Sequence, residues 1–385
     1  MEKAKSRGAQ KTGELKRLTA SFIIFVAVLK LADMAIGHFR PPQQEIPYRA
    51  IVLREHPPNL TLHIVRDEAY ARTKDGFKPR TITLRTDEDG FIIGPKQNRG
   101  EVGIAFVGGS TTECADVGED QRFPYLVSQQ LVWRANGALV RTLNSGVSAS
   151  HTLHGTFLIL AKILRYRPHA VVLMEDINDL ALLSNTGSYW RAPPSRQIIS
   201  EDRDLASPRP LHALLVAVKN LAFPNLWQLA HPPGTGGGGD EFIGYRGVSP
   251  SKIQILDDYR SAVEAEVALA RAWHVEPVLM TQFNRMEVGD RFIRALYERG
   301  NGLHRSGFSW PDYVALYKDM NNIVRDVAAR QDVLLIDLDR TLPKTRDYIV
   351  DPVHVTDRGS QLVATRVTEA ISGRFPEFGQ AAHVK

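Results

Sequence analysis

The stretch IAFVGGSTTECAD, from Ile104 to Asp116, contains the features that decide the fold. A run of apolar residues leads into two glycines, a serine and two threonines, after which the pattern becomes polar. Short continuous apolar runs are typical of strands that are buried on both faces of a sheet. The glycines permit a sharp turn, and Ser110 follows that turn at once. The stretch therefore predicts a buried strand with a serine at its carboxyl end.

Similar apolar runs recur along the chain, separated by segments with helical spacing. The strand-like runs are VGIAFV (Val102 to Val107), AVVLM (Ala170 to Met174), PVLM (Pro277 to Met280) and VLLIDL (Val333 to Leu338). The helix-like segments are Phe123 to Asn136, Leu153 to Tyr166, Tyr259 to Trp273 and Tyr313 to Arg330. This alternation predicts an α/β fold with a mostly parallel sheet that helices cover on both faces.

Length and composition limit the class of protein. The 385 residues suffice for one large domain or two ordinary ones, and 43% hydrophobic with 24% charged residues is typical of a globular body. Of the formal net charge of +5, residues 1–17 contribute +4, because six Lys and Arg there face two Glu. The rest is nearly neutral, so we expect no nucleic-acid partner. The single cysteine, Cys114, excludes an internal disulfide.

The basic tail, residues 1–17, precedes an apolar segment at residues 18–37, LTASFIIFVAVLKLADMAIG. As a helix, Leu18 to Ile36 would span about 28 Å, which roughly matches the hydrocarbon core of a bilayer. Lys30 and Asp33 are three residues apart near its end, where they could pair on one helix face. We expect a single-pass signal-anchor in the cell membrane, with the tail in the cytoplasm and the body outside it. A cleaved signal peptide and a helix packed on the domain are the alternatives.

The rest of the chain divides into a lead-in or accessory region, residues 38–100, and a main domain, residues 101–375. The lead-in is rich in proline and charge and contains two β-like runs, TLHIV and RTITLRT. Within the main domain, residues 184–250 interrupt the alternation with many prolines and the run HPPGTGGGGDEF. Long loops in compact domains are usually functional or disordered. We therefore expect an insertion that could form a lid over the site.

Four polar groups follow strand-like runs, and the carboxyl ends of parallel strands lie at one edge of a sheet. They are Ser110, Gly146 in NSGVSAS (Asn144 to Ser150), Asn178 in MEDINDL (Met174 to Leu180), and Asp351 with His354 in YIVDPVHVTDRG. Ser110 could be a nucleophile or an N-cap, and Gly146 could present its N–H to a ligand or form a turn. Asn178 could donate to an oxyanion or cap a helix. Asp351 could fix the ring of His354 as in a serine hydrolase, or the pair could form an exposed turn or bind a metal.

In this order, the four groups resemble the four conserved blocks of the SGNH hydrolases, also called the GDSL esterase and lipase family. The resemblance spans about residues 84–370. It includes RTDEDGFIIGP, Arg85 to Pro95, which is similar to the lead-in of bacterial membrane-associated members. The sequence differs from the namesake motif at Gly109, where that motif has aspartate. The α/β-hydrolase run G-x-S-x-G does not occur in the chain.

The resemblance implies a flavodoxin-like three-layer α/β/α fold and a serine esterase mechanism without metal or organic cofactor. Ser110 would be the nucleophile, His354 the base and Asp351 its orienting acid. The oxyanion hole would consist of the N–H groups of Ser110 and Gly146 and the side-chain amide of Asn178. The expected substrate is an O-acyl ester, preferentially O-acetyl, of a carbohydrate or envelope glycan. A lipase or thioesterase, an acetyltransferase and a non-catalytic anchored scaffold for polysaccharide assembly are the alternatives.

Three further groups of polar residues have competing interpretations. Glu175 and Asp176 make the third block unusually acidic, which leaves the charge of the substrate open. Cys114 would lie about one helical turn beyond the serine, but no histidine stands beside it in sequence to activate a thiol. His151 and His154 are three residues apart at a predicted helix start, where capping or surface roles are favoured over metal binding.

Overall fold

The computed structural model describes residues 18–35, 53–96, 98–193, 196–198, 250–304 and 307–381. The predicted basic tail, residues 1–17, lies outside these ranges, as does most of the predicted insertion at residues 184–250. The described residues belong to two units, one that contains residues 18–35 and one that contains the remainder.

The first unit contributes one described helix, α1 (Leu18–Ala35). Within the described part of the chain, it is the helix that is long and apolar enough to cross a membrane. Its apolar side chains, such as Phe22 and Ile24, are exposed, and Lys30 Nζ lies 3.8 Å from the Asp33 carboxylate. These features fit a membrane span or a signal sequence near the N-terminus.

The second unit alternates strands and helices. In chain order they are β1 (Thr61–Arg66), α2 (Glu68–Ala71), β2 (Arg80–Thr86), β3 (Ile92–Ile93), β4 (Val102–Gly108), α3 (Ser110–Glu113), α4 (Phe123–Gln130), β5 (Leu131–Trp133), β6 (Arg141–Asn144), α5 (Thr152–Leu158), β7 (Ala170–Met174), α6 (Ile177–Thr186), α7 (Lys252–Ala272), β8 (Glu276–Met280), α8 (Arg291–His304), α9 (Trp310–Arg330), β9 (Leu334–Ile336), α10 (Leu338–Thr341), α11 (Asp357–Arg374) and β10 (Phe378–Gln380).

Eight of these strands form one sheet in the order β1-β2-β3-β6-β4-β7-β8-β9. The strands from β6 to β9 in this order are parallel, whereas β1, β2 and β3 pair antiparallel at one edge. Numbered by their place in the chain, the five parallel strands have the order 2-1-3-4-5, which is the flavodoxin-like arrangement. The predicted mostly parallel sheet is confirmed. The described part of the lead-in region, residues 53–96, extends this sheet.

Helices cover both faces of the sheet and produce three layers. On one face, Ala105, Val107, Val171 and Leu173 belong to a core shared with α5, α7 and α9. On the other face, Ile104, Phe106, Val172 and Met174 belong to a core shared with α4 and α11. All seven residues of β4 are buried, as expected for a central strand with a neighbour on each side. The predicted α/β/α sandwich is confirmed.

Two predicted helices differ from the structure in their course. The segment predicted to be helical from Phe123 to Asn136 is helical only as far as Gln130, because β5 follows and pairs with β10. Pairing with a strand so distant in sequence leaves no mark on local periodicity. The segment from Leu153 to Tyr166 is helical, but it changes to a π-helix at Ile159 and to a 3-10 helix at Leu164.

Candidate active site

Ser110 is the first residue of α3 and follows β4 after a single glycine. Gly109 is the N-cap and has an extended backbone, so it is needed for space rather than for a left-handed conformation. A Cβ at Gly109 would lie closer than 3.0 Å to Nδ2 of Asn178. Since the first N–H groups of a helix have no carbonyl partner within it, the N–H of Ser110 is available at this edge of the sheet.

Asp351 and His354 lie in a tight loop that precedes α11. Ile349 and Val355 pair as an antiparallel bridge across the base of the loop. Inside it, the Val350 N–H donates to the His354 carbonyl oxygen at 2.9 Å. Asp351 Oδ1 accepts the backbone N–H of His354 at 2.8 Å. The loop thus holds the carboxylate in one orientation beside the imidazole ring.

A chain of hydrogen bonds joins three of the predicted residues. His354 Nε2 lies 2.9 Å from Ser110 Oγ, and His354 Nδ1 lies 2.7 Å from Asp351 Oδ2. The side chain of Asp351 is 8% exposed and that of His354 is 24% exposed. Burial alone would raise the pKa of Asp351, but the charges of His354 and Lys74 outweigh it and hold this pKa well below its usual range. The carboxylate therefore remains ionised while it contacts the ring.

The predicted oxyanion donors surround the same turn. Asn178 is the second residue of α6 rather than its N-cap, and its amide nitrogen faces Gly109. Gly146 packs so closely on α3 that a Cβ there would lie within 3.0 Å of the Glu113 backbone nitrogen. The N–H of Gly146 donates to Asn144 Oδ1 at 3.0 Å, so an oxyanion would share or replace that acceptor. The three donors thus lie on loops after β4, β6 and β7.

No protein-family model matches the sequence, and no curated protein matches it significantly. The chain is similar to the solved structure of a lipase/acylhydrolase from Enterococcus faecalis, with 14% identity, 71% of this chain and 96% of that chain covered, and a TM-score of 0.38. It is also similar to a GDSL-like lipase from Bacteroides thetaiotaomicron (13%, 71% and 90%, 0.38) and to an acetylxylan esterase from Geobacillus stearothermophilus (14%, 71% and 96%, 0.38). The second of these bears the family name that the motifs predicted.

A buried lysine from the lead-in region contacts the Asp351 carboxylate, and the sequence analysis missed it. Lys74 Nζ pairs with Asp351 Oδ2, and it lies 3.3 Å from His354 Nδ1. The same ammonium group lies 3.0 Å from Asp116 Oδ2. Burial alone would lower the pKa of Lys74, but the two carboxylates outweigh it and raise this pKa. Nothing in the polar stretch DEAYARTKDG distinguishes this lysine from one on the surface.

Asp116 has further partners on the two elements that precede Lys74. Arg66 Nε, from β1, lies 2.9 Å from Asp116 Oδ1, and the Tyr70 hydroxyl, from α2, donates to this carboxylate at 2.7 Å. Burial alone would raise the pKa of Asp116, but Lys74 and the other cationic neighbours lower it. The lead-in region therefore contributes a charged network that reaches the Ser110 site.

Gln282, which follows β8, connects the carboxyl ends of three strands. Its Nε2 donates to Thr111 Oγ1 at 3.0 Å, next to Ser110. Its Oε1 accepts the Ile177 N–H at 2.9 Å and the Tyr317 hydroxyl at 2.7 Å. A signal was present here, because polar TQFN directly follows the apolar run PVLM.

The acidic third block points into the core. Glu175 and Asp176 are 5% and 0% exposed, and burial raises the pKa of each well above its usual range. Asp179 accepts the Thr152 N–H at 3.0 Å and the Tyr189 hydroxyl at 2.6 Å, and burial raises its pKa to about 6. These carboxyl groups connect α6 to its neighbours and do not set the charge of a substrate site.

The remaining polar candidates have structural roles. Burial raises the pKa of the Cys114 thiol to about 12, and Sγ donates to the Thr111 carbonyl oxygen at 3.2 Å. A thiolate is therefore disfavoured there. His151 and His154 are buried at the start of α5, where the His151 N–H donates to His154 Nδ1 at 3.2 Å. Within the described ranges, no group of three or more His, Cys, Asp or Glu is arranged to hold a metal ion.

Proposed function

We propose that this protein is a serine esterase of the SGNH type that removes an O-acyl group, preferentially O-acetyl, from a carbohydrate or envelope glycan. The observation that carries the proposal is the hydrogen-bonded chain from Ser110 Oγ through His354 to Asp351. These three groups have the relative arrangement that nucleophile, base and orienting acid require. Three N–H donors lie at the same turn, where the carbonyl oxygen of an ester would become negatively charged.

The mechanism follows from the positions of these groups. Ser110 Oγ attacks the ester carbonyl, and its proton passes to His354 Nε2. Ionised Asp351 stabilises the resulting imidazolium through Nδ1, and the oxyanion receives hydrogen bonds from the Ser110 and Gly146 N–H groups and the Asn178 amide. The C–O bond to the alcohol then breaks, and His354 protonates the leaving alkoxide. Water, activated by His354, hydrolyses the acyl-enzyme and restores the serine.

The resemblance of the four sequence blocks supports the substrate class, and the N-terminal helix supports a site at the cell envelope. With residues 1–17 basic and α1 apolar, an anchor would keep the tail in the cytoplasm and the catalytic domain outside it. If a sugar hydroxyl replaced water in the second step, the same groups would transfer the acyl group to a glycan.

The test uses the full chain purified in detergent. A fluorophosphonate probe should label the wild type and fail to label Ser110→Ala, while Ser128→Ala, a buried serine on α4 with a hydroxyl bonded to the Tyr125 carbonyl oxygen, keeps its label. Nitrophenyl acetate, butyrate and octanoate then measure the preferred chain length. Acetylated oligosaccharides, and an acetyl donor with and without glycan acceptor, separate acetate release from transfer.

The outcomes distinguish the candidates. Faster turnover of octanoate than of acetate would favour a lipase or thioesterase, and acetylated acceptor in place of acetate would favour a transferase. A folded wild type that is neither labelled nor active on any ester would leave the non-catalytic scaffold.

A further inference from the structure

Two buried carboxylates approach each other beside the imidazole, and one ammonium group separates them. Lys74 Nζ contacts Oδ2 of Asp351 and lies 3.0 Å from Oδ2 of Asp116. The three residues are 8%, 5% and 3% exposed, in the order Lys74, Asp351, Asp116. Two carboxylates that share a buried site do not both remain ionised unless a cation compensates them.

The two carboxylates depend on Lys74 to different degrees. Asp116 also has Arg66 at 2.9 Å and the Tyr70 hydroxyl at 2.7 Å. For Asp351, Lys74 is the lysine or arginine that contacts it in the described part of the chain. Its other partners are His354 and backbone N–H groups. Loss of the ammonium would therefore affect Asp351 more than Asp116.

We propose that Lys74 is a positioning residue of the esterase, which keeps Asp351 ionised and oriented toward His354 against the neighbouring charge of Asp116. This role rests on the proposed function, because it acts through the base of that reaction. Lys74 itself touches neither Ser110 nor any position that an ester would occupy; it acts through Asp351. The lead-in region thereby supplies a part of the catalytic apparatus that the four sequence blocks do not contain.

The proposal predicts a pH effect rather than a simple loss of activity. The charged and titratable groups that surround Lys74 are Arg66 on β1, Tyr70 on α2, Arg80 on β2, Asp116 after α3, Asp351 and His354 before α11, and Asp357 on α11. Without the ammonium, the carboxylate pair takes up a proton, and imidazolium forms more readily beside the remaining negative charge. Both effects raise the pH at which the base becomes active.

The decisive variant is Lys74→Met in the full chain. We expect the acid limb of the kcat/KM profile to move upward by about one pH unit or more, with at least a tenfold loss near pH 7 that higher pH partly restores. Lys74→Arg keeps the charge and should keep the position of the acid limb. In Lys74→Met/Asp116→Asn, removal of the competing carboxylate should return the acid limb toward the wild-type position, an effect that a merely structural role would not produce.

The matched control is Lys162→Met, which removes another buried lysine, one that pairs with Glu55 at 3.0 Å and lies over the Phe91 ring. It should lower thermal stability and leave the pH profile unchanged. An unshifted acid limb in folded Lys74→Met, or a double variant that moves further from the wild type, overturns the proposal for Lys74 while labelling of Ser110 still supports the esterase.

A second readout does not depend on turnover. The Nδ1–H proton of His354 in its hydrogen bond to Asp351 should give a far-downfield proton NMR signal that is absent from His354→Gln. In Lys74→Met this signal should move upfield or disappear at neutral pH, because Asp351 is then partly protonated. If the wild type proves inactive on every ester, the proposed function fails, and an unchanged signal in Lys74→Met separately overturns the role of the lysine.

Discussion

The contact between Gly109 and the Asn178 amide predicts the effect of adding one methyl group beside Ser110. In Gly109→Ala the new Cβ would lie closer than 3.0 Å to Asn178 Nδ2 and 3.1 Å from the Ser150 carbonyl oxygen. Because the carbonyl blocks movement in one direction, the amide must retreat from the turn. An oxyanion donor is worth roughly 2.7 to 4 kcal/mol in the transition state, and displacement on the order of 1 Å costs about 100-fold. We expect kcat to fall about 100-fold with little change in KM.

The assay is steady-state hydrolysis of a nitrophenyl ester, combined with thermal melting of each variant. Asn178→Ala should lower kcat by roughly 10² to 10³-fold, and Gly109→Ala/Asn178→Ala should be no slower, because both changes act on one donor. Gly373→Ala is the control, since its Cβ would meet nothing within 4 Å. Wild-type kcat in folded Gly109→Ala, or fully additive losses in the double variant, would refute this explanation.

Three further predictions concern charge and the membrane. Asp351→Asn should lower kcat by roughly 10⁴-fold, since an amide no longer stabilises the imidazolium, and a loss below tenfold in initial rates would contradict this. Because the pKa of Asp351 is depressed in the fold, its contribution to stability is present above the unfolded value of 3.8 and is lost as pH falls, so this variant should lose less stability than the wild type during acid titration followed by circular dichroism. Burial raises the pKa of Glu266, so the fold holds a proton that the unfolded chain releases above about pH 4.5, at a cost of about 1.4 kcal/mol per pH unit; Glu266→Gln should therefore raise the melting temperature more at pH 8 than at pH 5. Removal of residues 1–35 should move the protein from the membrane fraction to the soluble fraction, and retention in the membrane would count against the anchor.

The sequence was sufficient to predict the parallel sheet, because its strands are buried on both faces and therefore appear as unbroken apolar runs. The run from Val102 to Val107 and the run from Ala170 to Met174 coincide with β4 and β7 almost to the residue. The sequence did not predict the short strands β3 and β5, which contain two and three residues. Such strands exist only through their partners, so no local pattern marks them.

The candidate site divides in the same way. Ser110, Asn178 and the Asp351–His354 loop each follow a strand or precede a helix, and that position gave them away before any contact was known. Lys74 has no such signal, because its importance comes from burial against two carboxylates that are distant in sequence. Gln282 was recognisable in principle, since it occupies the end of β8 as Asn178 occupies the end of β7.

The antiparallel edge of the sheet also affects the order in which the protein can assemble. β3 pairs with β6, and the Lys74 and Ser110 side chains meet partners that lie 277 and 244 positions further along the chain. During synthesis, the first three strands must wait for later segments before they can dock, and contacts of such long range form slowly. A chain released before its last helix would carry a serine without its base. Unfinished copies are therefore harmless to any ester they meet, and hydrolytic competence arrives only with the full-length molecule.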